Sequence, residues 1–149
     1  NLAMGNEKES SAVQGVVAWY SVSDIGSLTE TGKSYTDKIM GFDVHKNKKK
    51  TSDASPIELV TDQFPPILLV HGTKDEIVPF RQSADMAKKI NKATGRLTAR
   101  LIPFIGAVHG DAVIKTDDSV AECLSFIDGI IFNGKNPYRN KKFPVIKTR

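Results

Sequence analysis

The chain has 149 residues, 40% hydrophobic and 26% charged, enough for one sizeable core and unlike a wholly disordered, collagen-like or coiled-coil protein. Its 21 Lys and Arg against 17 Asp and Glu leave a net charge of +4, and little of that excess is interleaved with aromatics, so no nucleic-acid surface is indicated. No apolar run approaches the roughly 20 residues that span a bilayer, and the single cysteine, Cys123, excludes an internal disulfide and a cysteine-based zinc cluster while leaving the compartment open.

Asn1 to Ser11 has neither a basic nor an apolar targeting region, and no initiator methionine opens the chain. Val13 to Tyr20, V-Q-G-V-V-A-W-Y, is β-branched, aromatic and apolar on both faces, and is expected as a buried strand. Ser21 to Ser55 is polar and punctuated by Gly26, Gly32 and Gly41, with a short apolar patch at Ile39, Met40 and Phe42 and a lysine cluster from Lys46 to Lys50, and is expected as an irregular excursion over the surface. Ser55-Pro56 offers an N-cap with proline at the first helical position, opening a short helix through Ile57, Leu59 and Val60.

After Pro65-Pro66, Ile67 to Val70 is a second continuous apolar strand that runs into His71-Gly72. Arg81 to Ala93 carries Ala84, Met86, Ala87 and Ile90 near helical spacing and ends at Gly95, which predicts an amphipathic helix. Thr98 to Phe104 is expected as a third strand. Asp117 to Phe132 is expected as a helix with Val120, Leu124, Ile127 and Ile131 on one stripe, closed by Asn133-Gly134, and residues 135–149 form a basic tail.

This order of strand, excursion, strand, helix, strand, helix is that of a parallel α/β sheet with right-handed crossovers, whose ligands sit outside the carboxyl ends of the strands. Function is therefore expected in the loops that begin at Ser21, His71 and Ile105. The second of these contains Asp75 in H-G-T-K-D-E-I-V-P, and the third contains His109 in G-A-V-H-G-D. A carboxylate and an imidazole at one sheet edge suit nucleophilic catalysis. The acid fixes the tautomer of the histidine and stabilises its charged form, and the other ring nitrogen takes a hydroxyl proton.

The run P-P-I-L-L-V-H-G-T-K-D-E-I-V-P-F-R-Q-S, followed 34 residues after Asp75 by His109-Gly110, resembles the C-terminal half of an α/β-hydrolase, most closely carboxylesterases and lipases of the acetyl-esterase or feruloyl-esterase-like type. The resemblance spans Val13 to about Phe132. It implies three parallel strands with flanking helices, a cap-like insertion at residues 25–51 over the site, and the chain order nucleophile, acid, histidine, which maps Asp75 onto the acid and His109 onto the base. No G-x-S-x-G occurs in these residues. N-L-A-M resembles the start of the helix behind such an elbow, so the serine and both usual oxyanion donors are expected upstream of Asn1, and the 149 residues form a single partial domain.

The remaining candidates carry alternatives. Trp19 and Tyr20 either wall an acyl pocket or pack in the core; Ile39, Met40 and Phe42 either touch the acyl group or form a surface cluster. Glu76 is a weaker rival to Asp75. His71, at the end of a buried strand, is expected to be structural and to bond nearby backbone, and His45 to be a solvated loop residue. Asp24 is expected to form an Asx-turn with an amide two residues on, and Cys123 to be a buried small hydrophobe. The three histidines lack metal-ligand spacing, and no phosphate-binding or dinucleotide motif is present, so no metal or cofactor is expected.

The resemblance implies a serine carboxylesterase acting on short-chain or acetylated esters. A peptidase of the prolyl-oligopeptidase type shares the acid-to-histidine order, and a non-catalytic α/β interaction module would use the fold without chemistry. The expected partners are a small ester substrate and, where apolar sheet surface lacks its cover, a second copy of the chain.

Overall fold

The computed structural model describes residues 9–133. Three parallel strands form one sheet in the order β1 (Val16–Trp19), β2 (Ile67–Gly72), β3 (Ala99–Phe104). The register pairs Val16 with Ile67 and Trp19 with Val70 on one side of β2, and Ile67 with Ala99 and Gly72 with Phe104 on the other. Every residue of the central strand is buried. Side chains alternate across a strand, so β2 feeds two cores: Ile67 and Leu69 pack with Met86, Ile90 and Ala99, whereas Leu68 and Val70 pack with Ala107, Ile114 and Cys123. Burial on both faces is why β2 reads as an unbroken apolar run.

The first face is covered by α3 (Arg81–Thr94), which buries Met86 and Ile90 and ends at Gly95 in the left-handed conformation. The second is covered by the 3₁₀ turn at Ala112–Lys115 and by α4 (Asp117–Ile131), whose N-cap Thr116 accepts from the Ser119 amide. The result is a sheet between two helical layers, the α/β arrangement expected.

Several details differ from the sequence reading. β1 is shorter than Val13 to Tyr20 and only half-buried, because it has a strand neighbour on one side alone among the described residues, and Val13 is exposed. The stripe of Val120, Leu124, Ile127 and Ile131 faces outward; α4 meets the sheet through Cys123 and Phe126 instead. The helix is therefore apolar on two adjoining faces, and one of them has no cover among the described residues. The basic tail and the opening N-L-A-M lie outside the described residues.

The segment expected as irregular holds two helices, α1 (Glu30–Met40) and α2 (Lys48–Asp53), after a 3₁₀ turn at Ile25–Ser27. Thr29 caps α1 by accepting from the Gly32 amide, Gly41 closes it at φ 72°, and Lys33 pairs with Asp37 one turn on. Asp37 also accepts from the Val44 amide at 2.9 Å, which draws the buried Val44 under the helix end. The turn Pro56–Leu59 starts with proline at its first position as expected, but Ser55 does not cap it. The Ser55 hydroxyl accepts from the Ile25 amide and donates to the Thr51 carbonyl, tying three pieces of the excursion together.

Candidate active site

Asp75 and His109 come from the loops that follow β2 and β3, and backbone contacts hold those loops together. The Thr73 amide donates to the Phe104 carbonyl at 3.0 Å, the Lys74 amide to the Ala107 carbonyl at 2.9 Å, and the Gly106 amide to the Thr73 hydroxyl at 2.8 Å. Gly72 makes this approach possible, since a Cβ there would stand 2.4 Å from the Ala107 carbonyl oxygen.

The Asp75 side chain is wholly enclosed. Its Oδ1 accepts from the amides of Ile77 (3.0 Å) and Val78 (2.8 Å), and its Oδ2 lies 2.7 Å from His109 Nδ1. With Nδ1–H donated to the carboxylate, His109 Nε2 carries the lone pair. The imidazole is 30% exposed, so it combines a buried partner with an open side. Tyr20 packs edge-on against it, ring centroids 4.7 Å apart, from a backbone φ of +38°. A bulky residue in the left-handed region is strained and persists only where its surroundings hold it. Here the Tyr20 amide donates to the Val70 carbonyl at 2.7 Å, and the turn brings its ring to the histidine.

A cleft of about 440 Å³ opens beside His109, walled by Tyr20, Leu28, Tyr35, Ile39 and Val78. Of the proposed acyl contacts, Tyr20 and Ile39 line it and three do not. Trp19 points to the α4 side, where Nε1 donates to Cys123 Sγ at 3.4 Å, because strand alternation sends it into the core. Met40 is one step around the helix from Ile39, and Phe42 lies past the helix end under the Lys50 ammonium, 5.4 Å from its ring centre. Tyr35, one turn before Ile39, is the wall residue the sequence reading missed; its i, i+4 spacing to Ile39 was the available signal once a helix is assumed. A larger cleft of about 510 Å³, lined in part by Asp24, His45 and Glu58, does not touch the pair.

α1 stands over the same edge. Thr29 donates its hydroxyl to the carbonyls of Glu76 (2.9 Å) and Ile77 (3.1 Å), and a Cβ at Gly32 would meet the Ile77 oxygen at 2.5 Å. Gln82, buried at the start of α3, accepts from the amides of Ser23 and Asp24 and donates to the Asp24 carbonyl, which anchors the loop after β1. Asp24 forms the expected Asx-turn with the Gly26 amide at 3.0 Å. Glu76 is exposed, and its side chain makes no part of the pair. His45 is exposed, and Cys123 is buried.

Among the described residues no cluster of three or more His, Cys, Asp or Glu is placed to hold a metal, and no helix is long and apolar enough to cross a membrane. The BD-FAE family model matches residues 1–90, three-fifths of the chain. The chain belongs to the BD-FAE family. Esterase LipC of Mycobacterium tuberculosis is 36% identical over 58 residues, covering 39% of this chain and 14% of the relative. Esterase LipQ of the same organism is 29% identical over 137 residues, 88% of this chain and 32% of the relative. A solved structure described as a truncated form of a carbohydrate esterase from gut microbiota has a TM-score of 0.70 at 24% identity, over 81% of this chain and 44% of that one, which shows the fold. This BD-FAE chain is thus an esterase-like α/β-hydrolase that spans less than half the length of each of these proteins. The family match takes in Asp75 and stops before His109.

Proposed function

We propose that this chain is the acid-and-histidine part of a serine ester hydrolase, with Asp75 as the acid, His109 as the base and the nucleophilic serine supplied by residues that precede it. The 149 residues then form a single partial hydrolase domain, in which residues 25–51 act as a cap. The observation that carries the reading is the 2.7 Å contact from His109 Nδ1 to the enclosed Asp75 Oδ2, with the ring left open on a cleft.

In this mechanism Nε2 of His109 takes the serine hydroxyl proton as the oxygen bonds to the ester carbonyl carbon, and Asp75 stabilises the imidazolium that forms. The tetrahedral intermediate collapses by breaking the bond to the alkoxide, which receives the proton from Nε2. Water then repeats the sequence on the acyl-serine and returns the free acid. Tyr20 braces the ring edge-on, and Tyr35 and Ile39 offer apolar contact to one side of the ester, which suits a short acyl or acetyl group.

Without the serine there is no acyl-enzyme, so the 149-residue chain by itself is expected to show no turnover of p-nitrophenyl acetate above its His109→Ala variant. Joined to the preceding residues of its own reading frame, with G-x-S-x-G at the end of a strand, it is expected to hydrolyse that ester and to lose the activity with His109→Ala. A His109-dependent rate in the 149-residue chain, or a residue other than a nucleophile at the centre of that motif, would overturn the reading.

A further inference from the structure

His71 is a buried imidazole that the chemistry above leaves unused. Its ring is fully enclosed and has three polar neighbours: Ser83 Oγ at 2.7 Å from Nδ1, the Val78 carbonyl oxygen at 2.9 Å from Nε2, and Asp75 Oδ2 at 3.2 Å from Nε2. A carbonyl can only accept, so Nε2 carries the ring proton. Nδ1 then accepts from the Ser83 hydroxyl, which is itself fully buried and has this ring as its hydrogen-bond partner among the described residues. Phe80 packs edge-on against the ring at 5.8 Å between centroids and hinders its rotation.

We propose that His71 is a positioning residue for Asp75: its Nε2 proton holds the Val78 carbonyl, whose own amide binds Asp75 Oδ1, and its ring edge lies 3.2 Å from the carboxylate oxygen that orients His109. This deepens the triad reading and rests on it only for its bearing on catalysis. The two amides of Ile77 and Val78 pin Oδ1 but leave Oδ2 free to swing about it. The edge of the His71 ring, with Nε2 3.2 Å from Oδ2, walls that oxygen and so limits the plane of the carboxylate. The backbone agrees with this role, because Val78, the carbonyl that holds the His71 proton, also gives its amide to Asp75. Residues 71–78 thus hold Oδ1 by hydrogen bonds and confine Oδ2 by contact, and Ser83 on α3 selects the tautomer that makes the arrangement work.

The test is long-range ¹H–¹⁵N spectroscopy of the chain with its imidazoles labelled. His71 is expected as the Nε2–H tautomer and His109 as the Nδ1–H tautomer, with a low-field Nδ1 proton. His71→Leu, which fills the space without a donor, is expected to lose the His109 low-field resonance to exchange; His71→Gln, whose amide places an N–H near the Nε2 position, is expected to keep it. In the form that carries the serine, His71→Leu should lower kcat at least about tenfold with KM nearly unchanged, since misplacing a catalytic group by ~1 Å can cost about 10²-fold. An Nδ1–H tautomer at His71 would overturn the proposal without any variant, as would a folded His71→Leu chain that keeps the His109 resonance unchanged. Should the leucine variant not fold, the wild-type tautomer and the glutamine variant decide. Ester hydrolysis that does not depend on His109, beside intact coupling in the spectra, would condemn the triad reading and leave the His71 contact standing.

Discussion

Gly72→Ala tests the idea that the acid and the histidine are brought together by a single close crossing of backbone. An added Cβ would stand 2.4 Å from the Ala107 carbonyl oxygen and 2.8 Å from its carbon, whereas ordinary contact between such atoms is about 3.5 Å. The end of β2 and the His109 loop must therefore part by ~1 Å, because both neighbours are backbone and neither is a flexible side-chain tip. Gly72 does not occupy the left-handed region, so the cost is one of space alone. Parting breaks the bond from the Lys74 amide to Ala107 and strains that from Thr73 to Phe104. One or two neutral bonds at about 1 kcal/mol each, added to an overpacking cost of about 1–3 kcal/mol, give a loss of roughly 2–5 kcal/mol. For a chain of this size each kcal/mol moves the melting temperature by roughly 2–4 °C, so a fall of about 10 °C is expected. Thermal unfolding followed by Trp19 fluorescence measures it. The His109 low-field proton should also weaken or vanish in the folded variant. A melting temperature within about 2 °C of the parent chain, with that proton unchanged, would refute the reasoning.

Asp75→Asn should destabilise the chain by roughly 1–3 kcal/mol in urea titration, because the amide keeps one acceptor oxygen for the Ile77 and Val78 amides and loses the one that His109 Nδ1 now meets, and a donor left unpaired costs about 1–3 kcal/mol; a loss under about 0.5 kcal/mol would show that the three contacts are not made in solution. The exposed apolar stripe of Val120, Leu124, Ile127 and Ile131, whose last two members line a groove with Val16 and Val17 of β1, should make the isolated chain self-associate. Sedimentation is expected to show concentration-dependent association that Leu124→Glu with Ile131→Glu abolishes, and a monomer at all concentrations would count against it. The Lys33 ammonium, and then the Val44 amide, hold the Asp37 carboxyl below its ordinary value of 3.8. The unfolded chain therefore takes up this proton first, so the stability Asp37 contributes is complete above that value and fades as pH falls through the lower folded one. Asp37→Asn should flatten the loss of melting temperature below about pH 4, and an unchanged slope would contradict it.

Two elements show where sequence patterning carries and where it stops. β2 is legible because burial on both faces leaves no polar position between Ile67 and Val70, and α3 because its apolar spacing and Gly95 agree. α1 is not legible, since Thr, Gly, Ser and Lys dominate Glu30–Met40 and no stripe marks a buried face. Its supports come from elsewhere in the chain: Ile77, whose carbonyl lies against Gly32, Glu76, whose backbone carbonyl accepts from the Thr29 hydroxyl, and Val44, whose amide binds Asp37. The stripe on α4 misleads for a related reason. Periodicity tells that a face is apolar and does not tell which of two apolar faces meets the sheet.

Local residue order by itself determined the α/β class, the loops in which chemistry should lie, and Asp75 and His109 as the acid and imidazole to watch. It did so because strand and helix periodicity and the order of motif residues are written in neighbouring positions. Only the tertiary structure decided that the two side chains meet at 2.7 Å, that Tyr20 rather than Trp19 faces the histidine, and that His71 reaches the same carboxylate oxygen as His109. Each of these depends on how backbone segments cross, on the carbonyl of Ala107 over Gly72 and on a tyrosine turned to positive φ. Such contacts join residues far apart in the chain through directions that no local spacing encodes.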